Sequence, residues 1–132
     1  MNFFSKLFSR PTTILVVEDN ENLLETTAAL LEAEGFKALK AKNAKEGIEL
    51  ATQRQPQLVL LDIQLPDMDG WQVLQILKNA QKTKTIAVVM LTSLNQMGDV
   101  SQAFQLGADG YLPKPANAAS LYKKVREILA KR

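Results

Sequence analysis

Leu58-Val59-Leu60-Leu61-Asp62 and Ile86-Ala87-Val88-Val89-Met90-Leu91-Thr92 are the two runs whose reading decides the fold. Neither alternates apolar with polar residues. A strand with one wet face would do so, and a strand covered on both faces does not. Such strands belong at the centre of a parallel sheet with helices packed on either side.

Working outward from this pair, Ile14 to Val17, Phe36 to Ala41 and Gly110 to Leu112 read as three further strands, separated by segments of helical period. The first helix is expected from about Asn20 to Glu34, with Leu23, Leu24, Thr27, Leu30 and Leu31 inward and Gly35 as its left-handed stop. The second runs from about Ala44 to Gln55, with Asn43 as N-cap and Pro56 just beyond. The third follows Gly70 and turns Val73, Leu74 and Leu77 inward. The fourth spans about Met97 to Leu106 and stops at Gly107, and the fifth covers about Asn117 to Lys131 with Leu121, Val125, Ile128 and Leu129 inward. Crossovers between parallel strands are right-handed, which restricts the topology to a doubly wound α/β sheet. For five βα units the flavodoxin-like order 2-1-3-4-5 is the simplest.

The chain has 132 residues, of which 46% are hydrophobic and 23% charged, enough for one domain with its own core and too little for a second. A domain of this size buries roughly two-thirds of its unfolded surface and needs no disulfide or metal staple. Cysteine and histidine are both absent. That removes thiolate chemistry, the commonest general base and the commonest metal ligand, leaving carboxylates, hydroxyls, lysine and a hard metal ion. The net charge of +2 is scattered, so direct nucleic-acid binding is not expected. No apolar run reaches the roughly 20 residues of a membrane span, and a cytoplasmic location is expected.

Residues 1–11, MNFFSKLFSRP, are set apart as a leader, and 12–132 as the domain. Phe3, Phe4, Leu7 and Phe8 recur at a spacing that a helical turn gathers on one side, suited to a partner, a membrane surface or a second copy. The plainer reading is a frayed end lying over the domain.

In a doubly wound sheet ligands sit beyond the carboxyl ends of the strands. Those ends carry Glu18-Asp19, Asp62, Thr92 and the turn Pro113-Lys114-Pro115. Carboxylates crowded together repel unless a cation neutralises them. A hard divalent ion does so, and magnesium favours one or two carboxylates plus waters and phosphate oxygens. A carboxylate beside Mg²⁺, a lysine and a hydroxyl can accept a phosphoryl group: Asp62 attacks, while the cations and Thr92 stabilise charge on the phosphoryl oxygens.

Val-Val-Glu18-Asp19-Asn20, Leu-Val-Leu-Leu-Asp62-Ile-Gln-Leu-Pro66-Asp67-Met-Asp-Gly70, Leu-Thr92-Ser and Gly107-Ala-Asp-Gly-Tyr111-Leu-Pro-Lys114-Pro115 together resemble the response-regulator receiver domain of two-component signalling, over about residues 12 to 132. The 2-1-3-4-5 order is the family's own, so it carries no weight independent of the resemblance. The resemblance implies that Asp62 is the phosphoacceptor. It also implies that Asp19, Asp62 and the Gln64 backbone carbonyl hold Mg²⁺, with Glu18 acting largely through a water. Lys114 pairs with the phosphoryl group, and the Lys114-Pro115 bond is cis. Thr92 and Tyr111 form a switch pair, the hydroxyl turning to the phosphoryl oxygen and the ring rotating inward. Glu18 stands where aspartate is frequent and Ser93 where alanine is common; the added hydroxyl bears on phosphoryl lifetime.

The implied partners are a sensor histidine kinase or histidine phosphotransfer protein as donor and a downstream protein as target. The implied output face combines the fourth helix, fifth strand and fifth helix, with Gln102, Gln105, Asp109, Tyr111 and Tyr122 as candidates. A homodimer through that face or the leader is a further expectation. The chain is then no enzyme beyond its own phosphotransfer and autodephosphorylation. Two other readings compete. A non-phosphorylated docking module of receiver shape usually lacks one acid or the lysine, and none is lost here. An aspartyl-phosphate phosphatase needs a second acid two residues after its nucleophile, where this chain has Gln64. Asp67-x-Asp69-Gly70 is not an EF-hand, since Pro66 precedes it and no bidentate glutamate follows; Asp69 reads as a helix cap and Gly70 as a turn residue. Acids rather than a glycine-rich turn follow the first strand, against a nucleotide or flavin site.

Overall fold

The two unalternating runs pair with each other inside the sheet, in a register that sets Leu58 beside Ala87 and Asp62 beside Leu91. The computed structural model describes residues 11–93 and 105–132. Over these the elements are β1 (Thr13–Val17), α1 (Glu21–Ala33), β2 (Lys37–Ala41), α2 (Ala44–Arg54), β3 (Leu58–Asp62), α3 (Gly70–Asn79), β4 (Ala87–Thr92), β5 (Gly110–Pro113) and α4 (Ala118–Ala130). All strand pairs are parallel and the order is β2-β1-β3-β4-β5, so the flavodoxin-like expectation holds. The expected fourth helix, up to Phe104, lies outside the described residues, as do Gln102 and the leader residues Phe3, Phe4, Leu7 and Phe8.

Because successive strand residues face opposite sides, β1, β3 and β4 feed two separate cores. Leu15, Val17, Val59, Leu61, Val88 and Met90 meet α2 and α3 through Ala44, Ala51, Val73, Leu74 and Leu77. Ile14, Val16, Leu58, Leu60, Ala87 and Val89 meet α1 and α4 through Leu24, Leu31, Leu121, Val125 and Ile128. Each fully buried leucine contributes about 2 kcal/mol from the apolar area it withdraws from water. On α1 the innermost stripe is Leu24, Ala28 and Leu31, with Thr27 half-buried, a rotation of one residue from the expected stripe. The larger leucines masked the small alanine that lets the helix sit close.

The caps follow the sequence. Asn20, Asn43, Asp69 and Asn117 each accept a backbone N–H of the helix that follows, and Gly35 takes φ +93° after α1. The end of α2 turns at Gln55 with φ 50°, just before Pro56. Gly70, read as a turn residue, is instead the first residue of α3, at a point where a Cβ would lie 2.4 Å from the Asp62 carbonyl oxygen.

Asp67 caps a helix that is not its own. Its carboxylate accepts the N–H groups of Ala44 at 2.8 Å and Lys45 at 3.0 Å, at the start of α2. The Ala44 bond is the chief reason that its pKa falls below the usual 3.8. A carboxyl with a depressed folded pKa stabilises in full above its unfolded value, and this is lost as pH falls through the folded one. Asp67→Ala is therefore expected to melt below the wild type at neutral pH. The gap should close as the pH drops below 3.8, which a series of thermal melts would follow.

Candidate functional site

The parallel register delivers the site. It pairs Val17 with Leu61 and Thr92 with Pro113, so Glu18, Asp62, Thr92 and Lys114 leave the sheet side by side at its carboxyl edge. Burial is deep: Glu18 is 1% exposed, Asp62 3% and Thr92 2%, while Asp19 is exposed. Ligand oxygens of Glu18, Asp19 and Asp62 lie within 4.8 Å of one another.

Lys114 closes the cluster. Its ammonium donates to Glu18 Oε1 and to Asp62 Oδ2, each at 3.0 Å. It is carried there by a turn whose Lys114-Pro115 peptide is cis and whose Lys114 N–H donates to the Thr92 carbonyl at 2.7 Å. The remaining carboxylate oxygens take backbone donors, Asn20 N–H on Glu18 Oε2 at 3.1 Å and Gln64 N–H on Asp62 Oδ1 at 3.2 Å. Burial pushes the Glu18 carboxyl above its ordinary 4.5, the Lys114 and Asn20 hydrogen bonds pull it back, and the Asp62 charge adds to the rise. Burial pulls the Lys114 ammonium down, but its bonds to Glu18 and Asp62 outweigh this and leave its pKa above 10.5.

One lysine thus faces two buried acids, and removing it leaves both without a cationic partner among the described residues. Severing a buried pair costs about 3–5 kcal/mol, and the lysine side chain is 23% exposed, which moderates the loss. Lys114→Met is expected to lower stability by about 2 kcal/mol in the presence of a chelator, measured by urea unfolding.

The expected switch pair, Thr92 and Tyr111, makes the following contacts. The Thr92 hydroxyl donates to the Ser93 carbonyl at 3.1 Å, and the half-buried Tyr111 ring lies 5.9 Å from the Lys124 ammonium. On the expected output face Gln105 is exposed. Two other candidates are placed differently. Tyr122 points to the opposite side of α4, where its hydroxyl donates to the Leu30 carbonyl of α1 at 2.7 Å. Its ring lies 5.6 Å from Arg126, which pairs with Glu34. Both lie on the seam between α1 and α4, because the α4 stripe that buries Leu121, Val125 and Ile128 carries Tyr122 on its flank. Asp109 is taken up by the fold: it accepts Val88 N–H at 2.8 Å, Lys78 Nζ at 3.0 Å and Arg132 at 3.3 Å. It satisfies an amide of β4 and ties α3 to the C-terminal end of α4, leaving little of its carboxylate for a partner.

A profile of the response regulator receiver domain matches residues 14–126. Among similar proteins, the polar-differentiation response regulator DivK of Brucella anthropi is 31% identical over 119 residues, covering 90% of this chain and 97% of DivK. Protein PilH of Pseudomonas aeruginosa is 35% identical over 117 residues, covering 89% of this chain and 97% of PilH. The DNA-binding dual master transcriptional regulator RpaA of Synechocystis is 38% identical over 116 residues, but the chain spans about half of it, 48%. Among solved structures, the CheY-like response regulator receiver domain protein of Methanospirillum hungatei superposes with a TM-score of 0.85 at 30% identity, covering 92% of this chain and 96% of that one. With the strand order, the acidic cluster and its lysine, these matches place the chain in the response regulator receiver domain family.

Proposed function

We propose that the chain is a phosphoacceptor module of two-component signalling, taking a phosphoryl group onto Asp62 from a phosphohistidine on a sensor kinase or histidine phosphotransfer protein. The observation that carries this reading is the Lys114 ammonium held 3.0 Å from both Asp62 and Glu18. A cation fixed beside a buried carboxylate is suited to a phosphoryl group arriving there, whose charge it meets without reorganising.

The donor set is all oxygen, three carboxylates with ligand atoms within 4.8 Å, and fits a hard divalent cation such as Mg²⁺. Asp19 and Asp62 would hold it directly with the Gln64 backbone carbonyl, and Glu18 through a water. When bound, the ion supplies positive charge against the phosphoryl oxygens and offsets the repulsion among the acids. An Asp62 oxygen forms the bond to phosphorus as the P–N bond of the donor breaks. The bonding pair leaves on the imidazole nitrogen, which takes up a proton from solvent. A carboxylate oxygen is itself the nucleophile, so the step needs no general base. Water later attacks phosphorus and returns Asp62 and inorganic phosphate, with no other substrate turned over.

In the charged form the Thr92 hydroxyl exchanges its bond to the Ser93 carbonyl for one to a phosphoryl oxygen, and the Tyr111 ring moves inward from beneath Lys124. Partner affinity changes because the two arrangements present different surfaces, Gln105 and Tyr111 included, to a downstream protein. We place this activity in the cytoplasm, where a kinase donor is found; no helix among the described residues is long and apolar enough to cross a membrane.

The test is incubation with acetyl phosphate and Mg²⁺ followed by intact-mass and peptide mapping. One added phosphoryl group on the peptide that contains Asp62, absent when a chelator replaces Mg²⁺, is the expected result. An unmodified wild-type chain with every phosphodonor tried would end the proposal.

A further inference from the structure

The loop that follows the phosphoacceptor is fixed at both its base and its tip. At the base, Gly70 N–H donates to the Ile63 carbonyl at 2.7 Å, and Gln64 pairs with Asp69 as an antiparallel bridge. At the tip, Asp67 reaches across to α2 and takes the first two N–H groups of that helix, Ala44 at 2.8 Å and Lys45 at 3.0 Å. The third, Glu46 N–H, is taken by the Asn43 side chain at 2.8 Å. A helix start has only a few orphan donors, and here they are shared between a local residue and one from the phosphoacceptor loop. Within that loop Gln64 N–H holds one oxygen of Asp62 at 3.2 Å.

We infer that Asp67 is a positioning residue for the phosphoacceptor site, anchoring the loop on α2 so that Gln64 keeps the Asp62 carboxylate in its orientation. The inference rests on the phosphoacceptor reading and deepens it. The Asp67 carboxylate is not one of the acidic cluster and is engaged by the Ala44 and Lys45 N–H groups instead. It acts through the backbone between Asp67 and Gln64, as the residues behind a ligand shell commonly do. The capping bonds alone would make Asp67 a stabiliser of α2 and nothing more, so the two roles must be separated.

Asn43 provides the separation, because it caps the same end of the same helix and is not part of the loop. In the full-length chain, Asp67→Ala and Asn43→Ala are both expected to lower the melting temperature. Only Asp67→Ala is expected to weaken Mg²⁺ binding in calorimetry, by about tenfold, and to slow labelling by acetyl phosphate. In the metal-free protein the Gln64 amide should shift in the NMR spectrum and exchange faster with solvent in Asp67→Ala, and stay as in the wild type in Asn43→Ala. Asp67→Asn retains an acceptor oxygen and should fall between, which also covers the case in which the alanine variant does not fold. Equal Mg²⁺ affinity and an unchanged Gln64 amide in the Asp67 variants would overturn the inference. A wild-type chain that binds no Mg²⁺ and takes no phosphoryl group would instead overturn the phosphoacceptor reading, and the Gln64 amide would still report on Asp67.

Discussion

Asp62→Asn is expected to take up no phosphoryl group at all and, in the absence of divalent ions, to melt several degrees above the wild type. The loss of labelling follows from the chemistry, since a neutral amide is a far poorer nucleophile than a carboxylate. The gain in stability follows from the charges. At an effective dielectric of about 20, the attraction between Asp62 and Lys114 at 3.0 Å amounts to about 5.5 kcal/mol. Repulsion from Glu18 and Asp19, each within 4.8 Å, is at least about 3.5 kcal/mol apiece before solvent screening, which weakens it at the exposed Asp19. Attraction and repulsion therefore nearly cancel, and the desolvation of a carboxylate that is 3% exposed decides the sign.

Asparagine removes that desolvation cost, keeps an oxygen for the Gln64 N–H, and leaves Lys114 paired with Glu18. A gain of about 1–2 kcal/mol is expected, read as a higher melting temperature in a chelator. Saturating Mg²⁺ should then raise the wild type more than the variant and narrow the gap, because binding to the folded state alone adds about 2.7 kcal/mol at a hundredfold excess over Kd. A variant that melts lower than the wild type in chelator would show that pairing with Lys114 outweighs the cost of charging the site.

Gly70→Ala is expected to destabilise the chain by about 3 kcal/mol and to disturb the site as it does so. The methyl group would lie 2.4 Å from the Asp62 carbonyl oxygen, 2.6 Å from Ile63 Cα and 2.9 Å from the Ile63 carbonyl oxygen. All three are backbone atoms, and none can swing away as a side-chain tip would. The start of α3 must retreat from β3, at the expense of the bond from Gly70 N–H to the Ile63 carbonyl. Overpacking costs about 1–3 kcal/mol and the bond about 1 more. Gly35→Ala is the informative contrast. Its φ is +93° with no atom within 4 Å of the added methyl, so only the left-handed backbone is penalised, at about 1–2 kcal/mol. Urea unfolding of the two variants should rank Gly70→Ala as the more damaging, and a loss below that of Gly35→Ala would refute the contact argument.

What the sequence disclosed and what it withheld divide along sequence distance. Strands, helices and caps are written in local period and punctuation, as in the unalternating Leu58 to Leu61, Asn43 before α2 and Gly35 after α1, whereas the strand order comes with the family resemblance. The acids and the lysine were legible because parallel strands present their carboxyl ends together, so residues far apart in the chain are gathered by topology alone. Asp67 was not legible as a cap for α2, since no pattern in the segment Gln64 to Asp69 mentions Ala44. The contact of Tyr122 with α1 was not legible for a related reason. Its helix has two flanks, and only packing against Leu30 shows which one it occupies. Asp109 is an output-face candidate by resemblance, and the β4 amide and Lys78 that engage it come from elsewhere in the chain.

The polarity of the sheet has a practical consequence. Thr12, just before β1, and Arg132, just after α4, line the same groove as Gln55, Pro56, Gln57 and Thr85. They lie at the amino edge of the sheet, and the acids lie at the other edge, a five-residue strand away or about 17 Å. A fluorophore or a surface tether attached at Thr12 or Arg132 would stand clear of the Asp62 carboxylate. A short peptide joining Arg132 to Thr12 in place of residues 1–11, with a new opening cut in an exposed loop, should yield a circular permutant that keeps the fold. The unit is built as a cartridge, wired at one end and chemically open at the other.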